Sequence, residues 1–166
     1  EILIENGIIL YNEAKDLYLP AAGGIISISR SSSDYLRELF LFHEGMHGIF
    51  FVSPDYRARC FDIWEEIPQN LRSYFEGFFR WMNYDTENEY LAVNEMQAYL
   101  LQQTVGNTEY YFRNHRSVPA LLGNGNSGSE VGTLLEGDDT PFRDAAEQVR
   151  SALFETTGVW HDRFFC

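Results

Sequence analysis

Between Leu39 and Phe51 the chain reads Leu-Phe-Leu-Phe-His-Glu-Gly-Met-His-Gly-Ile-Phe-Phe, and its only ionisable side chains there are His43, Glu44 and His47. Ser31-Ser32-Ser33 ahead of this stretch offers N-caps and Ser53-Pro54 behind it offers a stop, which predicts a helix from about Asp34 to Phe51. A helix that is apolar nearly all round belongs in a core rather than on a surface. The rest of the chain must therefore wrap it, and the two imidazoles and the carboxylate it would bury must find partners, because unpartnered polar groups are expensive to desolvate.

The material for such a core is present. Hydrophobic residues make up 45% of the 166 residues and aromatics 16%, and a chain of this size buries about 70% of the surface it exposes when unfolded. The length fits one domain spanning residues 1–166, and a start at Glu1 rather than Met reads as a processed product or an excerpt of something longer. Asn6-Gly7 between two β-branched runs predicts a hairpin, and Ile25-Ile26-Ser27-Ile28-Ser29 a short edge strand. Helical patterns follow at about Asp55 to Glu65, Pro68 to Met82, Thr86 to Gln103 and Pro141 to Thr156. Thr86-Glu87-Asn88-Glu89 has the form of a capping box, and Thr140 with Pro141 the form of a cap and first helical position. Gly123 to Gly132, rich in Gly, Asn and Ser, reads as a loop. The sum is an α+β fold: a small N-terminal sheet, hairpin plus edge strand, packed on a mainly helical body of five or so helices.

Composition excludes several functions. Twelve basic against 25 acidic residues give a formal charge of −13, unsuited to phosphate backbones or anionic membranes, so nucleic acid is not an expected partner. No apolar stretch approaches the roughly 20 residues of a membrane span. Cys60 and Cys166 are too few for a disulfide framework or a thiolate metal site.

His43-Glu44-Gly45-Met46-His47 is an H-E-x-x-H pentad. Four-residue spacing puts both imidazoles on one helix face, a turn apart, where both can reach one metal ion. With 4 His and 16 Glu in the chain, about 0.01 such pentads are expected by chance. Neutral imidazoles suit Zn²⁺, which needs at least one further protein ligand and, in a catalytic site, an open position for water. Glu44, beside the first imidazole, is placed to take a proton from that water.

On these residues the chain resembles the zincin metallopeptidases. The resemblance covers Ile25 to Phe51, where a strand leads into the motif helix, and extends more loosely to the helix around Glu95. It implies a helix packed under a sheet whose edge strand holds an extended peptide, with a peptide or protein as substrate. The longer pattern with a third His is not met, since Phe50 and Ser53 stand where its Gly and His belong, so the third ligand is expected to be a carboxylate. Asn94-Glu95-Met96-Gln97-Ala98 looks like the N-E-x-x-A part of the second helix in gluzincins, whose third ligand is Glu. The surroundings agree, because Leu91, Ala92 and Ala98 are helix neighbours of Glu95 and a carboxylate on an apolar face wants a cation.

The rivals are Glu89 and Glu87, which the capping box and the helix dipole account for, and Asp55 and Asp62, which lack the Gly-Thr-x-x-Asp setting of Asp-ligated zincins. The resemblance also implies a downstream oxyanion donor, for which His115 is preferred over Tyr110 and Tyr111, with Tyr99 also open. His161 beside Trp160 reads as surface or packing, and the aromatic runs Phe75 to Trp81 and Phe50-Phe51 as core. The expected function is zinc-dependent peptide-bond hydrolysis. The alternative is a catalytically weak or inactive metal- or peptide-binding module of a larger protein.

Overall fold

Eight helices and one two-stranded antiparallel sheet make up residues 1–21, 23–114 and 126–160, which the computed structural model describes. The α+β class expected from the sequence is observed, with the sheet at the N-terminus and helices after it. The chain divides into two units, Glu1–Leu41 and Phe42–Cys166.

In the first unit, α1 (Ile2–Glu5) is a single helical turn, followed by β1 (Ile9–Asn12) and β2 (Leu17–Pro20). The hairpin is therefore one element later than expected. Asn6-Gly7 is not its turn: Gly7 has φ +65° while Asn6 has φ −95°, and a type I′ turn needs both positive. Instead Gly7 closes α1, with Ile8 N–H donating to Leu3 O at 2.8 Å and Gly7 N–H to Ile4 O at 3.0 Å. This is the paired bonding of a left-handed helix stop, which calls on the same property of glycine.

The observed turn is set by Asn12, whose Oδ1 accepts the Lys15 N–H at 3.1 Å, and by Asp16 at φ +49°. Tyr11 and Tyr18 sit opposite each other across the ladder with ring centroids 5.1 Å apart. The edge strand expected at Ile25–Ser29 does not form. Ala21 and Gly23 still bond Ile8 and Gly7, but Gly7 then turns the chain into α1, so no extended partner remains beyond that point. Gly23 itself is at a close approach, since a Cβ there would meet Gly7 O at 2.8 Å.

Helix α2 (Asp34–Val52) begins as expected at Ser33, whose Oγ accepts the Leu36 N–H at 3.3 Å. It is not buried all round. Only His43, Met46 and Phe50 are buried, while Phe51 and Val52 are exposed. The central helix is α5 (Glu89–Leu101), buried at Ala92, Val93 and every position from Glu95 to Leu101. Around it in the second unit lie α3 (Pro54–Glu66), α4 (Gln69–Trp81), α6 (Val105–Arg113) and α8 (Pro141–Thr157), all in contact with α5, while α7 (Asn126–Glu136) packs on α4.

The cap of α5 lies two residues later than the capping-box reading has it. Asn88 is the cap, its Oδ1 accepting the Leu91 N–H at 3.2 Å, so Glu89 is the first helical residue. Helices α1, α6 and α7 go beyond the five expected. Helix α7 occupies most of the stretch read as a loop; its Gly, Ser and Asn residues are poor helix formers, but Val131 and Leu135, one turn apart, are buried, and that packing overrides propensity. Of the aromatic run expected as core on α4, Phe75, Phe78 and Phe79 are fully buried, as is Tyr74 before them, with Tyr74, Phe75 and Phe78 packed against Phe112 or Phe142, whereas Trp81 at the helix end is exposed. Among the described residues no helix is long and apolar enough to cross a membrane.

The start of α8 is held from another helix. Thr140 makes no side-chain cap bond; Glu109 of α6 does the capping, its Oε2 accepting the N–H groups of Phe142 at 3.0 Å and Arg143 at 3.1 Å. Its Oε1 accepts Arg113 Nε at 2.6 Å, and Arg113 also donates to Leu135 O and Asp139 O, each at 2.5 Å. A largely buried carboxylate thus ties α6 to α8, and its cation ties both to the end of α7. Glu109→Ala is expected to destabilise the protein by about 3 kcal/mol, the loss of a cap together with charge-assisted bonds. Urea denaturation checks this, and a loss below about 1 kcal/mol would mean that water replaces the carboxylate.

Candidate metal centre

Helix α2 and helix α5 meet at three side chains. His43 and His47 lie one turn apart on α2, with Nε2 to Nε2 3.1 Å. Glu95 of α5 faces both, Oε2 lying 3.6 Å from His43 Nε2 and Oε1 3.6 Å from His47 Nε2. The three donor atoms fall within 4.8 Å of one another. His43 and Glu95 are buried and His47 half-buried.

The local structure explains the convergence. On α2, the buried stripe at 43, 46 and 50 is the face turned toward the core. On α5 nearly every position is buried, so a carboxylate at 95 has no route to solvent. Tyr99, one turn further along α5, lays its ring edge against the His43 ring at 4.6 Å between centroids and closes that side.

The electrostatics demand a positive partner. Glu95 Oε2 and His43 Nδ1 are buried and have no hydrogen-bond partner among the described residues, and a buried carboxylate without compensation is costly. A tetrahedral ion with bonds of about 2.0–2.1 Å separates its ligand atoms by about 3.3 Å, and the observed separations of 3.1, 3.6 and 3.6 Å bracket that edge. Two imidazoles and one carboxylate form a donor set suited to a divalent transition metal rather than to Mg²⁺ or Ca²⁺, which prefer oxygen. The cluster can hold a metal ion.

Glu44 follows His43 on α2 and is half-buried. It is not one of the three convergent donors. Its charge reaches Tyr84, whose phenol is pushed up first by burial, then by the Glu95 charge, and in smaller part by Glu44. Tyr84 is a site residue that the sequence reading missed. Its position depends on the end of α4, where Asn83 takes φ +66° and Tyr84 N–H bonds back to Phe79 O at 2.9 Å, turning the ring onto Phe79. Nothing in the residue pattern marks that turn apart from Asn83 itself, a residue type that tolerates the left-handed region. Tyr99 is likewise raised, chiefly by burial and then by its hydrogen bond with Tyr84.

Asn94 is the second missed residue. Its Oδ1 lies 3.0 Å from His47 Nδ1. The available signal was two amides, Asn94 and Gln97, in an apolar helix, since buried amides require partners.

The rival carboxylates stand elsewhere in their local settings. Asp55 and Asp62 are exposed, Asp62 pairing with Arg59 at 3.0 Å, and Glu87 and Glu89 are exposed beside the start of α5. Tyr110 is 74% exposed on α6, and Tyr111 is half-buried on the same helix. His115 and His161 lie outside the described residues. No known family, curated protein or solved structure matches the chain.

Proposed function

We propose that the chain is a zinc-dependent peptidase of gluzincin type. The observation that carries this reading is the meeting of His43, His47 and Glu95 from two helices at tetrahedral spacing, with Glu95 Oε2 buried and without a hydrogen-bond partner among the described residues, beside a glutamate that is not needed as a ligand. In this reading His43, His47 and Glu95 hold Zn²⁺. Zinc, when bound, supplies Lewis acidity that makes water a nucleophile near neutral pH and polarises a carbonyl.

Glu44 accepts the proton of the attacking water and returns it to the leaving amine. Tyr84, half-buried and in electrostatic reach of Glu95 and, more weakly, of Glu44, offers an O–H donor for the oxygen that gains charge as the amide carbonyl becomes tetrahedral. Its place at the cluster supports it in the role that the sequence alone suggested for His115.

Protein prepared without chelator is expected to carry about one zinc per chain and to cleave peptides in a mixed library. Elemental analysis and product profiling check the two parts separately. Less than about a tenth of an equivalent, with no uptake on adding zinc, would remove the metal centre. Stoichiometric zinc without cleavage of any peptide would leave a metal-binding module and no peptidase.

A further inference from the structure

Behind His47 a line of buried polar groups runs from the metal cluster into the core and ends on α3. Tyr56 Oη donates to Gln97 Oε1 at 2.9 Å. Gln97 Nε2 donates to the Asn94 backbone oxygen at 2.9 Å and to Asn94 Oδ1 at 3.2 Å. Asn94 Oδ1 in turn lies 3.0 Å from His47 Nδ1. Tyr56 and Gln97 are both completely buried, so water does not offer them alternative partners.

The direction of every bond in this line follows from one group that can only accept, the Asn94 backbone carbonyl. Facing it, Gln97 must present its NH₂. That leaves Gln97 Oε1 toward Tyr56, which must donate, and directs the other Gln97 N–H at the Asn94 side chain, which must present its oxygen. An oxygen there requires a proton on His47 Nδ1. The Nε2 lone pair of His47 then faces Glu95 and His43, whose Nε2 lies 3.1 Å away.

We propose that Gln97 is a positioning residue for the metal centre, the middle of a buried relay that fixes the orientation of the Asn94 amide and through it the ligand tautomer of His47. The proposal rests on the metal-centre reading, and it singles out one of the two imidazoles. His43 Nδ1 has no such partner among the described residues, so His47 is the pre-set ligand and His43 the one whose tautomer is not fixed by them. Partners behind a metal-bound imidazole typically alter metal affinity by about 10–100-fold, and here that control originates two residues away from the ligand.

The experiment is ¹⁵N NMR of the histidine side chains in the intact, metal-free protein, read with Zn²⁺ affinity by competition against a chelator. In the unmodified protein, neutral His47 is expected to be protonated on Nδ1. In Gln97→Glu, whose carboxylate cannot donate to the Asn94 carbonyl, His47 is expected to shift toward the Nε2–H form and zinc to bind about 10–100-fold more weakly. Tyr56→Phe should keep the Gln97 anchor at Asn94, leaving the tautomer in place and zinc affinity within about threefold.

An Nε2–H His47 in the unmodified protein overturns the relay without any variant being made. So does a folded Gln97→Glu protein with unchanged tautomer and affinity, the result of a merely structural hydrogen bond. A wild-type chain that takes up no zinc but has Nδ1–H His47 would instead overturn the metal-centre reading and keep the relay, so the two failures are distinct.

Discussion

Replacing Glu44 with Gln is expected to leave zinc content and fold unchanged and to lower peptide hydrolysis by at least about 10³-fold, near the upper range for removal of a general base. The amide keeps the shape of the side chain and loses only its ability to accept a proton. Because Glu44 is not among the three convergent donors, the ion has no reason to leave. Elemental analysis and a peptide-cleavage assay on the same preparation provide the check. Near-normal turnover would remove Glu44 from the proton transfer, and loss of zinc would make it a ligand, contrary to the geometry.

The second large effect concerns Glu95. Glu95→Ala leaves two imidazoles facing an empty third position, and zinc affinity is expected to fall by more than about 100-fold, beyond what loss of a partner behind a ligand produces. Glu89→Ala, at an exposed first helical residue whose cap is Asn88, is expected to leave both affinity and stability nearly unchanged. Asp55→Ala and Asp62→Ala, both exposed, should do the same to affinity. Competition titrations on the four variants decide the matter. Zinc binding that survives Glu95→Ala and collapses in either Asp variant would overturn the Glu ligand while leaving a metallopeptidase standing.

Much of the helical part of the chain could be read from local signals. The bounds of α2, α3, α4 and α8 fall close to those expected because Ser33, Ser53-Pro54, Pro68 and Pro141 are strong punctuation, and His43, His47 and Glu95 stand out by residue type and spacing alone. The errors arose where one residue type serves two geometries or where a distant group decides. Gly7 favours a positive φ in either context, and only its hydrogen bonds distinguish a helix stop from a hairpin turn. Apolar composition marked α2 as the central helix, yet α5 is the one surrounded, because encirclement depends on neighbours that composition does not specify. The cap of α8 comes from Glu109, 32 residues before Pro141 in the chain, and Tyr84 reaches Glu95 through a turn. Both are tertiary facts.

The two halves of the cluster differ in how firmly the protein holds them, and this would govern how the chain responds to an ion bound there. Glu95 sits on a helix buried almost throughout, whose amides should open to exchange with solvent only when the whole unit unfolds. The imidazoles sit on a helix buried along one stripe, with Gly45 and Gly48 on either side of His47 and open space beside both glycines. An ion linking the two adds its binding free energy to the native state, and the gain appears where opening is otherwise easiest. Metal occupancy at the proposed centre would therefore act on the opening of α2 around His43 and His47 rather than on α5.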